Sequence, residues 1–561
     1  MREDYQPVFF VENVQWERVF LHLQISSRVS DQVFFFLERL EGMKQNETDR
    51  VDRARVVERV PLPWESYEDG VYSFCCNITA MNGRTFLNNG IWRISAETNH
   101  EVYVVYASFP VAYHFDEYTR MFRYGNNQYA YTVLFTSATE NEKYLWFLMH
   151  SFFMIRNDDW RKHHWLSESK TFKGKRKKLK EKITKSGVDK VYQFYNHVYP
   201  KYGHRVLMMS ETRDKLWGNL KAIDDAIKRR GLDKQFEMDY SFRKAVGKKK
   251  VISEWVRVLK KIAKADYIFI DDYAPLFSYL NLSHKTKLIQ VWHAGEGFKA
   301  VGYARFGKAS SPRPTDNCHK KNDYVLTGSP KLNHVFEEVF GIEKSAFLPV
   351  GMPRLDGFLD QQRIEKFKET FYRQYPELKE KKVILFAPTY RGTDQKHAYY
   401  DYSWLDFQQI HEFCGSEYAF VLKMHPFVEE KAEIPPEYSS NIFDMSEYPD
   451  INSLYYITDL LITDYSSNFY EYALMRRPML FYTPDREIYE LSRGVHRSVK
   501  ENAPGKVCDT FEEMMDALRS GDFEEEKAKQ FVKDNFANYD GHAADRAIDR
   551  ILLQINKGQG K

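Results

Sequence analysis

Between residues 7 and about 155 the apolar positions come in short runs, many of them alternating with polar positions every second residue. VFFVENV, WERVFLHLQI, QVFFFLERL, VYSFCCNI, IWRISAE, HEVYVVYASF and KYLWFLMHSFF are rich in β-branched and aromatic residues, with turn-prone segments between them. A two-residue period buries one face of a strand, so this stretch predicts a small antiparallel β-sandwich-like domain over residues 1–157. No catalytic constellation falls inside it. An accessory packing role and an acceptor- or partner-binding role are both open.

From about residue 190 the pattern becomes strand–helix–strand. RVLMMSE, DYIFIDD, KLIQVWHAG, DYVLTGS and AFLPVGMPR read as buried strands, with helices at LWGNLKAIDDAIKRRG, SEWVRVLKKIAKA and LNHVFEEVFG between them. After DQQRIEKFKETFYRQYPELKE the alternation starts again with KKVILFAPTY, YAFVLKMHP, NIFDMS, DLLITDYSS and PMLFYTP, and terminal helices follow. Such alternation builds parallel sheets covered on both faces. The expectation is therefore an α/β chain with two Rossmann-like domains, over 190–360 and 361–561, facing each other across a cleft beyond the carboxyl ends of their strands.

The connector over residues 158–189 breaks the pattern. From Arg161 to Lys185 only Glu168 and Glu181 oppose a run of Lys and Arg that includes KTFKGKRKKLKEKITK. Three readings are open: a solvated helix or linker, a polybasic contact with an anionic membrane surface, or a nucleic-acid patch. No recognised nucleic-acid module accompanies it, which argues against the third.

Composition adds little beyond this. The 561 residues are 43% hydrophobic and 29% charged with a formal net charge of +3, so bulk charge does not define a polyanion binder. Cys75, Cys76, Cys318, Cys414 and Cys508 show no zinc-site spacing and fit a reducing compartment. The first residues do not resemble a signal peptide, and the longest apolar stretch, Tyr144–Ile155, is too short to span a bilayer.

Candidate chemistry falls where strands end. His293 enters a loop with Gly295, and His425 closes VLKMHP with Lys423 two residues upstream. An imidazole suits proton removal from an alcohol or charge stabilisation at phosphate, although either histidine alone is as readily a scaffold residue. LLIT delivers Asp464, Ser466 and Ser467 to a predicted helix start, where hydroxyls and free N–H groups can cradle a diphosphate; a plain N-cap is the competing reading. Arg391 follows another strand, placed to fork onto phosphate oxygens. Arg354 and Asp356, in VGMPRLDGF, come from the first half. No carboxylate or His/Cys set has metal-site spacing, and no phosphate-binding glycine loop occurs.

WHAGEGFKAVGY, GMPRLDGF, FAPTYRGT, LKMHP and ITDYSSNFYEYALMRRPMLFYTPDREIYELSRG occur in the order found in the CDP-glycerol glycerophosphotransferase family, which this chain resembles over roughly residues 190–560. The N-terminal β-region also resembles that of teichoic-acid polymerases acting on ribitol phosphate. The resemblance implies a glycosyltransferase-B-like double Rossmann fold needing no metal or cofactor. It implies transfer of glycerol phosphate or ribitol phosphate from CDP-glycerol or CDP-ribitol to the terminal hydroxyl of a lipid-linked teichoic-acid or capsule-type acceptor, with release of CMP. By motif match His293 is the general base, and His425 is the second essential histidine beside the donor phosphates. Arg391, Lys423, Asp464, Ser466 and Ser467 fall in the donor motifs, with Gly295, Arg354, Asp356 and Arg493 as supporting residues. The implied location is cytoplasmic, peripheral on the inner face of the cell membrane, in the company of other cell-wall polymer enzymes. Many members read HGT where this chain has His293-Ala294-Gly295, a departure that bears on which alditol is used. The competing classes are a sugar-nucleotide glycosyltransferase or epimerase of the same fold, and a non-catalytic polyanion- or membrane-binding assembly protein.

Overall fold

The computed structural model describes residues 7–29, 32–41, 51, 54–99, 101–124, 129–140, 144–155, 172–243, 251–293, 295, 301–305, 317–392, 397–489, 498–536 and 539–553. Among them are three sheets, one of twelve strands and two of six. Arg493 and residues 156–171 lie outside the described residues, and nothing is said of the side chains up to Thr184, so the basic connector is represented only by the backbone of the helix Phe172–Val198.

The twelve-stranded sheet holds the N-terminal region and is almost wholly antiparallel, the strand Phe9–Glu17 running parallel only to Tyr106–Ala107. It curls back on itself. Phe35 and Phe74 lie on strands far apart along the sheet, yet their rings meet edge to face at 5.1 Å. Alternating inward residues such as Val11, Leu23, Leu37, Trp92, Val133 and Phe147 thereby enclose a single core, as the two-residue period requires.

The first six-stranded sheet is all parallel, in the order Glu237–Phe242, Arg205–Ser210, Tyr267–Ile270, Lys287–Gln290, Tyr324–Leu326, Phe347–Leu348. The second is also parallel, in the order Ile442–Asp444, Tyr418–Leu422, Lys382–Phe386, Thr458–Thr463, Met479–Tyr482, Lys506–Cys508. The order in which successive strands are laid down reverses between the parallel neighbours Lys382–Phe386 and Thr458–Thr463. That topological switch point is where doubly wound sheets open a crevice for ligands.

The pieces are joined by burial. One hydrophobic cluster runs from Trp292, Val325 and Phe336 of the first lobe to Tyr455, Leu461 and Phe469 of the second. The closing helix Ala543–Ile548 returns to the first lobe, where Ala544, Ala547 and Ile548 join the core around Leu220 and Ile223. Asp356 anchors that return: its carboxylate accepts the N–H groups of Ala543 and Ala544, each at 2.8 Å. The expected supporting role of Asp356 in the cleft is thus replaced by a capping one. The β-domain docks on the helix Pro330–Phe340, where Arg18 pairs with buried Glu338 at 2.8 Å and the Phe20 ring stacks on His334 at 4.2 Å. Tyr303, from the chain following His293, is buried in the β-domain core.

His319 is enclosed beneath the first-lobe cleft, its ring edge-on to Phe340 at 4.9 Å and to Trp292 at 6.0 Å. Burial disfavours its charged form and lowers its pKa from 6.5 to about 4. The folded state therefore holds His319 neutral while the unfolded chain takes up a proton near pH 6.5. Its contribution to stability is intact above that pH and is lost as pH falls towards 4. The linkage is worth roughly 2 kcal/mol at pH 5. Chemical denaturation between pH 7 and 5 should show this loss in the wild type, and a His319→Gln variant should show a correspondingly flatter profile.

Candidate active site

Both predicted histidines stand at carboxyl ends of parallel strands, and their hydrogen bonds assign them opposite tautomers. His293 is exposed, and its Nδ1 lies 3.0 Å from the Asp271 carbonyl oxygen. A carbonyl only accepts, so Nδ1 carries the proton and Nε2 of the neutral ring offers a lone pair. His425 is half-buried beside Tyr390 and Phe427, and its Nδ1 accepts the Phe427 N–H at 3.2 Å. In the neutral ring the remaining proton is then on Nε2. One imidazole is set to take a proton and the other to donate a hydrogen bond.

The His293 strand end is fixed from below. Buried Asn219, near the start of the helix Gly218–Arg229, donates its amide to the carbonyls of Val291 and Trp292 at 2.9 and 2.8 Å. Trp292 then takes φ 49°, a left-handed conformation that turns the chain sharply into the loop. Asp271, whose carbonyl orients His293, is itself buried with its carboxylate 3.5 Å from Arg213. Burial raises its pKa against the opposing effect of Ser210 and Arg213.

Ser466 and Ser467 are half-exposed on the turn after Thr458–Thr463. The helix that follows begins at Phe469 and lasts five residues, with no side-chain cap from Asn468. The helix expected near the serines is present but begins two residues after Ser467, and the chain turns back at Arg476 (φ 54°) ahead of Pro478. The turn is instead pinned by side chains. Asn468 donates to the Ala387 carbonyl at 2.8 Å and accepts from the Thr463 hydroxyl at 2.9 Å.

Asp464 lies under that turn, 1% exposed, accepting from the Thr389 and Ser466 N–H groups and from Arg391. Arg391 is 5% exposed and donates to both oxygens of Asp485, to Asp464 and to the Thr389 carbonyl. Four aromatic rings, of Tyr400, Trp404, Tyr465 and Tyr489, surround its guanidinium at 5.2–5.6 Å. Burial works against its charge, but Asp464 and Asp485 more than offset this and raise its pKa. In this geometry the guanidinium is engaged by two carboxylates and a backbone carbonyl. Arg391 and Asp464 neutralise each other beneath the site and tie the two strand ends of the switch point together. Lys423 is likewise turned away from an open phosphate position: it is buried, burial lowers its pKa, and its ammonium donates to the Ser446 carbonyl at 2.7 Å.

Two contacts bring the histidine loop onto the serine turn. A Cβ at Gly295 would overlap the ring of Tyr470, which also reaches Gly328 and so fits against two first-lobe glycines. Arg354 donates to the His293 carbonyl at 3.0 Å and pairs with Glu471, one residue beyond Tyr470. Sequence reading missed Asn219, Tyr470, Glu471 and Asp485. The one signal that could have found the last two was that ITDYSSNFYEYALMRRPMLFYTPDRE holds carboxylates beyond Asp464 that an arginine could pair with. No group of three or more His, Cys, Asp or Glu able to hold a metal is present among the described residues.

Residues 191–553 match the family described as CDP-Glycerol:Poly(glycerophosphate) glycerophosphotransferase. The teichoic acid ribitol-phosphate polymerase TarL of Staphylococcus aureus is 35% identical over 353 residues, which is 63% of this chain and 63% of that protein. A teichoic acid poly(ribitol-phosphate) polymerase of Bacillus spizizenii is 33% identical over 354 residues, 63% of this chain and 57% of its own length. The matched segment thus spans less than two thirds of either relative. A solved structure of the wall teichoic acid polymerase TagF superposes with TM-score 0.52 at 20% identity, over 69% of this chain and 98% of that one, which shows the shared fold.

Gly295 is a test of how closely the lobes meet. Gly295→Ala should destabilise by about 1–3 kcal/mol through overpacking on Tyr470. Tyr470→Leu should recover part of that loss in the double variant, because the two positions touch and their effects do not add. Thermal unfolding of the four proteins measures the coupling, and a Gly295→Ala protein as stable as wild type would contradict the contact.

Proposed function

Because the chain belongs to the CDP-glycerol:poly(glycerophosphate) glycerophosphotransferase family, we propose that it transfers a polyol-phosphate unit from a CDP-alditol to the terminal hydroxyl of a teichoic-acid-type acceptor. The observation that carries this reading is the pair of complementary imidazoles at strand ends of the two lobes, one protonated on Nδ1 so that Nε2 is the basic nitrogen and one accepting at Nδ1 so that its proton sits on Nε2. The acceptor hydroxyl attacks the alditol-side phosphorus while its proton passes to His293 Nε2. The bond from phosphorus to the CMP oxygen breaks, and CMP leaves. His425 Nε2–H and the surface of the Ser466–Ser467 turn stabilise charge on the transferring phosphoryl group, where fixed dipoles aimed at a phosphoryl oxygen are most effective. Arg391, Asp464 and Lys423 hold that surface in shape from beneath.

Ribitol phosphate is the favoured unit. Both polymerases described above act, by their names, on ribitol phosphate. The acceptor is lipid-linked in this reading, with the enzyme peripheral on the inner membrane face. No helix among the described residues is long and apolar enough to cross a membrane. The basic run from Arg161 to Lys185 supplies the charge for surface attachment at ~1 kcal/mol per Lys or Arg near the headgroups.

Purified protein given CDP-ribitol and a lipid-linked polyol-phosphate acceptor should release CMP and lengthen the acceptor, with slower release from CDP-glycerol and none of either product from UDP-sugars. His293→Ala should lower CMP release by roughly 10²–10⁴-fold with the unfolding midpoint preserved. Wild-type turnover in that variant would remove His293 from the chemistry.

A further inference from the structure

Arg354 sits in the short turn Pro353–Leu355 of the first lobe and is tied to the His293 strand end twice. Its backbone N–H donates to the Asn219 side chain at 2.9 Å, the same side chain that holds the Val291 and Trp292 carbonyls. Its Nη2 donates to the His293 carbonyl at 3.0 Å. The same nitrogen pairs with Glu471 of the second lobe. Glu471 is nearly buried on a five-residue helix that is buried at every position and begins two residues after Ser467. A single guanidinium nitrogen therefore joins the backbone of the base-bearing residue to the element carrying the serine turn. The Arg354 Nε–H is buried with no hydrogen-bond partner. A guanidinium held only for stability would be placed to satisfy that donor; here the side chain is committed to spanning the lobes.

We propose that Arg354 and Glu471 are positioning residues that set how far His293 reaches towards the serine turn. The proposal rests on the phosphotransfer reading above. His293 has two restraints of different origin. The Asp271 carbonyl, within its own lobe, fixes which way the ring faces. Arg354, through Glu471, fixes where its backbone lies relative to the opposite lobe. Removing the second leaves the base correctly oriented but misplaced, and in-line attack tolerates little of that: a displacement of ~1 Å lowers turnover about 10²-fold. Donor affinity, which depends on the second lobe, is largely retained.

The test compares wild type, Arg354→Met, Glu471→Gln, His293→Ala and the His293→Ala/Arg354→Met double variant. Turnover and KM for CDP-ribitol are read alongside backbone hydrogen exchange of peptides covering residues 288–293 and 469–473. Arg354→Met should lower kcat about 10²-fold with the donor KM within a few-fold of wild type. Exchange should speed up in both peptides, and the double variant should be no slower than His293→Ala alone. Glu471→Gln keeps the volume and an acceptor oxygen while losing the charge, so it should give an intermediate loss of kcat; it decides the question if Arg354→Met does not fold. Wild-type kcat in a folded Arg354→Met protein overturns the proposal, as does a loss that multiplies with that of His293→Ala or exchange that changes in one peptide only. A wild-type enzyme that releases no CMP from either CDP-alditol overturns the phosphotransfer reading and the positioning role with it. An active wild type with indifferent variants overturns the positioning role alone.

Discussion

The arrangement of the cleft depends on a missing side chain. Gly295 has no Cβ, so the Tyr470 ring of the second lobe lies directly against the loop that begins at His293. That approach brings Glu471 within reach of Arg354, and it lets the hydrophobic cluster continue from Trp292 and Phe336 into Tyr465, Phe469 and Tyr472. A larger residue at 295 would separate the lobes at the place where the two strand ends must act together. Tyr470 meets Gly328 as well, so the register is set at two points and not by a single pivot.

The site is organised as two tiers. In the upper one, His293, His425, Ser466 and Ser467 retain surface exposure. In the lower one, the ionic groups are spent on each other: Arg391 with Asp464 and Asp485, Lys423 with a backbone carbonyl. Burying a cation next to two carboxylates and four aromatic faces makes a stiff base, because removing Arg391 would leave two carboxylates facing each other in a region of low dielectric. Stiffness there holds the exposed, uncharged groups above it in a fixed geometry.

Much of this was legible from periodicity. Apolar runs that stop abruptly at a polar residue, as in KLIQVWHAG and DLLITDYSS, mark strands buried on both faces, and the residue where each run stops is at the cleft. The strand Glu237–Phe242 was not legible, because it is an edge strand, half-exposed along most of its length, whose EMDYSF sequence lacks an apolar run. The helix after Ser467 is buried at all five positions, so no amphipathic stripe marks its bounds. The roles of Arg391, Asp464 and Lys423 were out of reach in principle. A charged residue at a strand end is equally consistent with meeting a ligand and with meeting a neighbour.

Tyr303 gives the N-terminal region a standing different from that of an appended module. The aromatic belongs by sequence to the first α/β lobe, ten residues past His293, yet it is interred among Phe86, Ile78 and Tyr131 of the β-domain, with the buried Lys320 ammonium 4.8 Å from its ring. The seam between these units is therefore interlocked, the α/β lobe contributing part of the β-domain's interior. Recombination that swaps the first 155 residues for a foreign domain would have to supply a socket for this ring, so inheritance of the two as a single block is the simpler evolutionary route.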